Sequence, residues 1–345
     1  MKLSIKFCYY GISRESAVFT ALLRLHSLFK SHGVLATGGL KVDRISLIRK
    51  KDISCMRGCD YVVCANIWQI FLVRIILIGS KAKIIYWVQG LVAEESYLKK
   101  KSHMRYVMLR ALELIAFKLS YAYIYVSQYM KLYYRDRFKF TYKSKYLVLP
   151  CISDLVMPTS EKRVPDSYCY LGGMAGWQKF ETVVMIMNRV ISQNPDASFG
   201  VATKEIRVCN DILYKVASPD LLKKTTLCSL SGNSEVAQFL ARHEFGFLIR
   251  DDVPVNNVSS PIKLAEYLSC GVNPITTNAI KSYAPHIGGA AYLVNIDDVL
   301  RSDNKIVFHY KGEAAALSVY MKFFSNDSVD EEFKMFLNLL ETNNA

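Results

Sequence analysis

The chain has 345 residues, about half of them hydrophobic, with a formal net charge of +14. That length suits two domains better than one, and the composition excludes a disordered chain. Nine scattered cysteines with no CxxC pair exclude a disulfide framework and a zinc-ribbon spacing, and fit reduced thiols in a cytoplasmic protein.

The charge is unevenly divided. Residues 1–150 carry 26 Lys+Arg against 8 Asp+Glu, whereas residues 151–345 carry 18 against 22. A basic half joined to a mildly acidic half predicts two domains with different partners. A basic domain suits nucleic acid, an anionic membrane surface or a phosphate-bearing substrate. Nucleic acid is disfavoured, because there is no zinc-finger spacing, no RNP-like aromatic motif and no basic-zipper heptad.

In chain order, Met1–Phe7 is too short an apolar run for a signal peptide, and Leu3–Tyr9 reads as a buried strand broken by Gly11-Ile12-Ser13. A helix from about Ser16 to Ser31 follows, with Val18, Leu22, Leu25 and Phe29 on one face and Gly33 as its stop. The apolar run Ile67–Ile78 is too short to span a bilayer and contains Gln69 and Arg74, so no transmembrane helix is expected. Tyr61–Cys64, Lys83–Val88, Tyr121–Val126 and Tyr146–Leu149 read as strands. Met104–Leu119 reads as a helix, and Ser127 as the N-cap of a helix over Gln128–Tyr134.

Residues 151–166, with Pro158 and Pro165, read as a linker. The alternation then restarts with a strand at Tyr168–Leu171, a glycine loop at Gly172-Gly173 and a helix over Phe180–Gln193. Ser198–Ala202, Phe245–Ile249 and Asn273–Thr277 follow as strands, with helices at Glu235–His243 and Ser260–Cys270. Two doubly wound α/β domains are therefore expected, 1–155 and 156–345, with the last helix a candidate to pack back on the first. Their ligand site is expected in a cleft at the carboxyl ends of the strands.

The segment richest in chemistry runs from Arg250 to Gly271. A strand delivers Arg250 to its carboxyl end, a polar loop follows, and a helix is predicted to start with Ser260 as cap and Pro261 as first helical residue. Such a terminus can hold a diphosphate on its free amides, Lys263 adds a charge in the first turn, and Glu266 on the same face can accept from sugar hydroxyls. Ser-Pro is also an ordinary helix start, and a Lys–Glu pair an ordinary surface pair. The glycines at 172 and 173 suit either a tight turn or close approach of a diphosphate to the backbone.

The segment Pro261-Ile262-Lys263-Leu264-Ala265-Glu266-Tyr267 through Gly271 resembles the donor-binding motif of the retaining GT-B glycosyltransferases grouped with family 4. Trp87-Val88-Gln89-Gly90, Tyr125–Met130, Leu149–Ser153, Tyr170–Lys179 and Ser231–Val236 resemble further pieces of that family in the same order, faintly before residue 85. The resemblance implies a GT-B fold of two Rossmann-like domains. It also implies transfer of a sugar, with retention, from a nucleotide-diphosphate donor to an acceptor hydroxyl. The implied donor set is Gly172, Gly173, Lys179, Arg250, Ser260, Pro261, Lys263 and Glu266.

Two departures stand out: Val258 occupies the position of the family's first donor-gripping glutamate, and Gly173–Gln178 lacks its usual Arg and Lys. Arg250, Lys263 or Lys179 is then expected to take over the diphosphate charge. Glu266, Gln89 and Glu94 are the candidate catalytic residues, and Gly11, Ile12, Ser13 and Gln89 the candidate acceptor side.

No Asp-x-Asp triplet occurs, so neither a metal nor another cofactor is expected. The expected acceptor is a glycan or lipid-linked glycan of a bacterial surface polysaccharide. Lys99-Lys100-Lys101 and the aromatic–basic stretch Tyr133–Phe140 suggest peripheral association with an anionic membrane, at the inner face of the plasma membrane. The alternatives are a GT-B sugar-nucleotide epimerase, an inverting transferase, and a non-catalytic binding subunit.

Overall fold

The computed structural model describes residues 3–13, 17–38, 50–158, 161–301 and 305–342. By its contacts the chain divides into two compact units, Met1–Pro150 with Val329–Ala345, and Cys151–Ser328.

The first unit holds a six-stranded sheet: β1 (Ser4–Phe7), β2 (Leu35–Gly38), β3 (Tyr61–Cys64), β4 (Lys83–Val88), β5 (Ala122–Tyr125) and β6 (Lys145–Val148). All its pairings are parallel, in the order β2-β1-β3-β4-β5-β6, so β1 lies between β2 and β3, with Phe7 opposite both Gly38 and Val63. A parallel sheet covered by helices buries both faces of its central strands. Accordingly every residue of Tyr61–Cys64 and Ala122–Tyr125 is buried.

The predicted first helix spans Ala17–Ser31, and its expected start at Ser16 lies outside the described residues. Leu22, Leu25 and Phe29 point inward as their spacing requires. Ser127 is the expected cap, accepting from Met130 N–H at 3.0 Å to open the helix Gln128–Arg137. The C-terminal helix Asp327–Glu341 belongs to this unit. Phe333 packs edge-on against Phe29 at 4.9 Å, Tyr61 donates to Leu340 O at 2.8 Å, and Asp330 pairs with His32.

The second unit repeats the plan: β7 (Ser167–Leu171), β8 (Ser198–Ala202), β9 (Thr225–Cys228), β10 (Phe245–Leu248), β11 (Asn273–Thr276) and β12 (Tyr292–Leu293). The order is β12-β11-β10-β7-β8-β9, again parallel throughout. The strand order reverses at β7, flanked by β8 and β10, and in such sheets ligands bind beyond the carboxyl ends at that place. The helix Phe180–Gln193 covers one face with Val183, Val184, Met187 and Ile191. The helix Ile262–Ser269 covers the other with Leu264, Tyr267 and Leu268.

Candidate functional site

Within the second unit, the ends of β7 and β10 and the start of the helix Ile262–Ser269 converge. Tyr267 fixes this junction. Its hydroxyl accepts from Leu171 N–H and donates to Phe247 O, both at 3.1 Å. Its ring lies so close to Gly246 that a β-carbon there would come within 2.9 Å of the ring carbons. One side chain thus ties the helix to both strands, which is why the strand tolerates no larger residue at 246.

The helix does not begin as predicted. Its first residue is Ile262, and Pro261 (φ −70°, ψ 123°) occupies the cap position without a side-chain cap bond. Ser260 lies one residue further out, and its buried hydroxyl accepts from Cys151 N–H and from Tyr283 Oη, each at 3.0 Å. Those bonds, not capping, explain the serine. With Pro261 at the cap, no side-chain cap bond closes the helix start among the described residues.

Lys263 sits in the first turn and folds over the glycine loop. Its Nζ bonds Gln178 Oε1 and lies 5.0 Å above the Tyr170 ring. Gly172, at φ +147°, leaves room for that ammonium, since a β-carbon would overlap Nζ. Burial, reinforced by the nearby Arg250 and only partly offset by Glu266, pulls the Lys263 pKa down to about 7.

Arg250 follows β10 and is buried. Its Cζ lies 4.7 Å over the Trp177 ring, and Nη1 donates to Trp177 O at 3.2 Å. Burial lowers its pKa as well. Tyr170 completes the floor, donating to Gly173 O at 2.6 Å. Among the described residues neither Arg250 nor Lys263 has a carboxylate within ion-pair distance. Two cations are thus held by ring faces, an amide and a carbonyl, an arrangement that favours an anion.

The other predicted donor residues fall around this core. Gly173 borders Glu205, whose Oε2 accepts Met174 N–H at 2.6 Å. Glu266 lies one turn beyond Lys263 and is half-buried. Lys179 adopts a left-handed conformation (φ 56°) and pairs with Asp251 at 2.9 Å, so its charge is already matched. Val258 is buried and ends the short helix Pro254–Asn257.

In the first unit, Gly11, Ile12 and Ser13 form the turn after β1, with Gly11 at φ +67°. Gln89 follows β4 at the same carboxyl end of the sheet, and its Nε2 is buried without a hydrogen-bond partner among the described residues. Glu94 behaves otherwise than predicted. It lies on the helix Val92–Lys100, and its Oε1 accepts from Tyr133 Oη at 2.8 Å, Arg137 Nη1 at 2.9 Å and Tyr106 Oη at 3.3 Å. A carboxylate so engaged is structural, not a free base.

Arg137 also reaches Glu113 at 3.4 Å, a fully buried carboxyl that accepts from Tyr134 Oη and from Val92 N–H. Burial raises the Glu113 pKa to about 7, against the lowering effect of Arg137. The stretch Tyr133–Phe140 is therefore only in part the outward aromatic–basic surface predicted, with Lys139 and Phe140 exposed. Tyr134 and Phe138 are core, and Tyr133 and Arg137 serve this network. Nothing in the sequence spacing linked Glu113 to Arg137; only the packing of the helix His103–Leu119 against its neighbours brings them together.

No cluster of His, Cys, Asp or Glu able to hold a metal ion occurs among the described residues. No helix among them is long and apolar enough to cross a membrane.

No protein-family model and no curated protein matches the sequence. Solved structures do. The sucrose-phosphate synthase from Thermosynechococcus elongatus superposes with a TM-score of 0.72 at 11% identity, covering 99% of this chain and 100% of that one. Anabaena Alr3699/HepE in complex with UDP-glucose gives 0.64 at 11% identity, covering 99% and 100%. The pneumococcal O-GlcNAc transferase GtfA, in complex with UDP and GlcNAc, gives 0.60 at 12% identity over 81% of this chain, which spans 57% of that protein. The fold is thus GT-B, two Rossmann-like α/β domains, as in these glycosyltransferases.

Proposed function

We propose that the protein is a glycosyltransferase that takes a sugar from a nucleotide-diphosphate donor and passes it to an acceptor hydroxyl, with retention and without a metal. The observation that carries this reading is the pair of basic side chains, buried Arg250 and half-buried Lys263, beside the glycine loop and a helix start without a side-chain cap, neither with a carboxylate within ion-pair distance among the described residues. A diphosphate has the charge and the oxygens to fill that place. In the reaction its negative charge grows as the glycosidic bond to the donor breaks, and fixed cations stabilise the leaving group. Glu266, one turn along the helix, is placed to accept from donor hydroxyls.

Several neighbours of the same fold were solved with UDP or UDP-glucose, which supports a uridine nucleotide as the first ligand to test. We assign acceptor recognition to the first unit, where Gly11, Ile12, Ser13 and Gln89 share the carboxyl end of the sheet and the Gln89 Nε2 has no hydrogen-bond partner among the described residues. The acceptor we favour is a lipid-linked or growing surface glycan, met at the cytoplasmic face of the membrane.

The test is thermal unfolding against a panel of nucleoside diphosphates and nucleotide sugars. Stabilisation should grow with the logarithm of ligand concentration above the dissociation constant. Arg250→Ala should weaken the best ligand at least tenfold, the scale of a lost charged hydrogen bond. Unchanged affinity would remove Arg250 from the site. Binding without hydrolysis or transfer of any nucleotide sugar would favour the non-catalytic reading.

A further inference from the structure

The helix His103–Leu119 has two apolar faces. One is buried, through Leu109, Ala116 and Phe117. The other is turned to solvent: Met104, Val107, Met108, Ala111 and Ile115 recur at the spacing of one continuous stripe and are all exposed. Met104 is 84% exposed and Val107 65%. The helix Ile67–Ile76 packs beside it in the same layer over β3 and β4, and also turns apolar residues outward. There Trp68, Phe71, Leu72 and Ile75 share a face, with Trp68 56% and Ile75 65% exposed.

Charge on this layer has one sign. Between Ile67 and Leu119 the carboxylates are Glu94, Glu95 and Glu113, and none is exposed. Lys99, Lys100, Lys101, Arg105, Arg110 and Lys118 all reach solvent. The inward pull of Arg137 on Glu94 and Glu113 removes the acids that would otherwise temper this surface. Self-association through a two-fold contact would set these cations against their own copies, which disfavours a second copy as occupant. Long basic side chains around an apolar stripe suit a boundary where hydrocarbon meets anionic headgroups.

We propose that the outward stripe of the helix His103–Leu119, with the exposed face of Ile67–Ile76 beside it, is the surface by which the protein lies on an anionic lipid membrane. Met104, Val107 and Met108 enter the headgroup boundary, and Lys99–Lys101, Arg105 and Arg110 bind lipid phosphates. The proposal rests on the functional reading above only in its choice of a membrane-borne acceptor. It keeps Lys99–Lys101 of the expected contact but moves its apolar part from the Tyr133–Phe140 stretch, whose Tyr134 and Phe138 are core, to the outward stripe of His103–Leu119.

The experiment is co-sedimentation of the full chain with phosphatidylcholine vesicles, with and without about 30% phosphatidylglycerol. The wild type should pellet with the anionic vesicles at low salt and not with neutral ones. Met104→Ser/Val107→Ser/Met108→Ser should weaken that binding tenfold or more while leaving the thermal midpoint and the nucleotide-induced shift in place, since these positions are exposed. Lys99→Gln/Lys100→Gln/Lys101→Gln should weaken it at low salt and flatten its salt dependence. Trp68 fluorescence gives a reading that needs no core change: it should shift to the blue on anionic vesicles and be quenched by brominated lipid, and the signal should vanish in Trp68→Phe. No binding by the wild type, or binding untouched by the serine variant, overturns the proposal. So does concentration-dependent self-association that the serine variant abolishes. Nucleotide binding is read separately, so failure here leaves the donor site standing.

Discussion

Lys263 offers a sharp test of the donor site, because the ligand should change its proton. In the ligand-free protein burial first, and then Arg250, bring its pKa from the ordinary 10.5 to about 7. A phosphate oxygen about 4 Å away contributes on the order of 4 kcal/mol at the effective dielectric of a partly solvated site. That equals roughly three pKa units and returns the lysine to about 10. At pH 8 the free lysine is only about one-tenth charged, so binding of UDP should take up close to one proton, and at pH 6 almost none. Affinity should then fall up to tenfold, about 1.4 kcal/mol, for each pH unit above about 7.

Stability of the unliganded protein should move the other way. The unfolded chain holds the extra proton between about pH 7 and 10.5, so stability rises across that window. Calorimetric titration of UDP at pH 6 and 8, in buffers of different ionisation enthalpy, counts the protons. Lys263→Met should bind more weakly at pH 7 and lose both the proton uptake and the pH slope above 7. If the wild type takes up no proton at pH 8, or if Lys263→Met keeps the slope, the lysine does not meet the ligand's charge.

Two further substitutions test the supports. Gly172→Ala places a side chain at φ +147° and over the Lys263 ammonium, so it should lower the unfolding midpoint by the equivalent of about 1–3 kcal/mol and weaken nucleotide binding. Gly288→Ala, where a β-carbon meets nothing within 4 Å, is the control and should change neither. Arg137→Met strands the buried Glu113 and the half-buried Glu94 and should cost about 3–5 kcal/mol in denaturant unfolding at pH 8. The raised pKa of Glu113 means that the folded protein holds its proton from about pH 4.5 up to 7, so this variant's deficit should shrink as pH falls towards 5. An equal deficit at both pH values would argue that Arg137 acts by packing alone.

The layers were legible because parallel strands buried on both faces read as short continuous apolar runs, as at Lys83–Val88 and Tyr168–Leu171. Short or polar elements were not. Leu35–Gly38 has no such run, and the helix Ile206–Val216 buries only Cys209 and Leu213 in full. At the site, the sequence placed Arg250, Lys263 and Glu266 near one helix start, because a strand end and a helix start carry their positions with them. It misread Ser260 because a serine before a proline looks like a cap, whereas its hydroxyl serves Cys151 and Tyr283, 109 and 23 residues away. It misread Glu94 for the same reason: three of its partners lie 12 to 43 residues on. Partners distant in sequence leave no trace in local spacing.

The glycine loop lacks the arginine and lysine that the sequence resemblance led to expect, and what stands there has a physical logic of its own. Trp177 and Gln178 stand in that stretch, and each holds a cation that arrives from elsewhere, Trp177 beneath Arg250 and Gln178 against Lys263. Holding a cation by a ring face or a neutral amide fixes its position without neutralising it. Lys179 is the contrast, since its partner Asp251 would have to be displaced before it could serve an anion. A loop that keeps its own charge matched presents Arg250 from the end of β10 and Lys263 from the following helix, and the cost of charging the lysine there is carried in its lowered pKa. An incoming diphosphate relieves that cost, and a neutral ligand of the same shape does not. On the proposed reading, discrimination between a nucleoside diphosphate and the corresponding nucleoside should reside in Arg250 and Lys263 together, with the aromatic and amide side chains beneath them keeping both available.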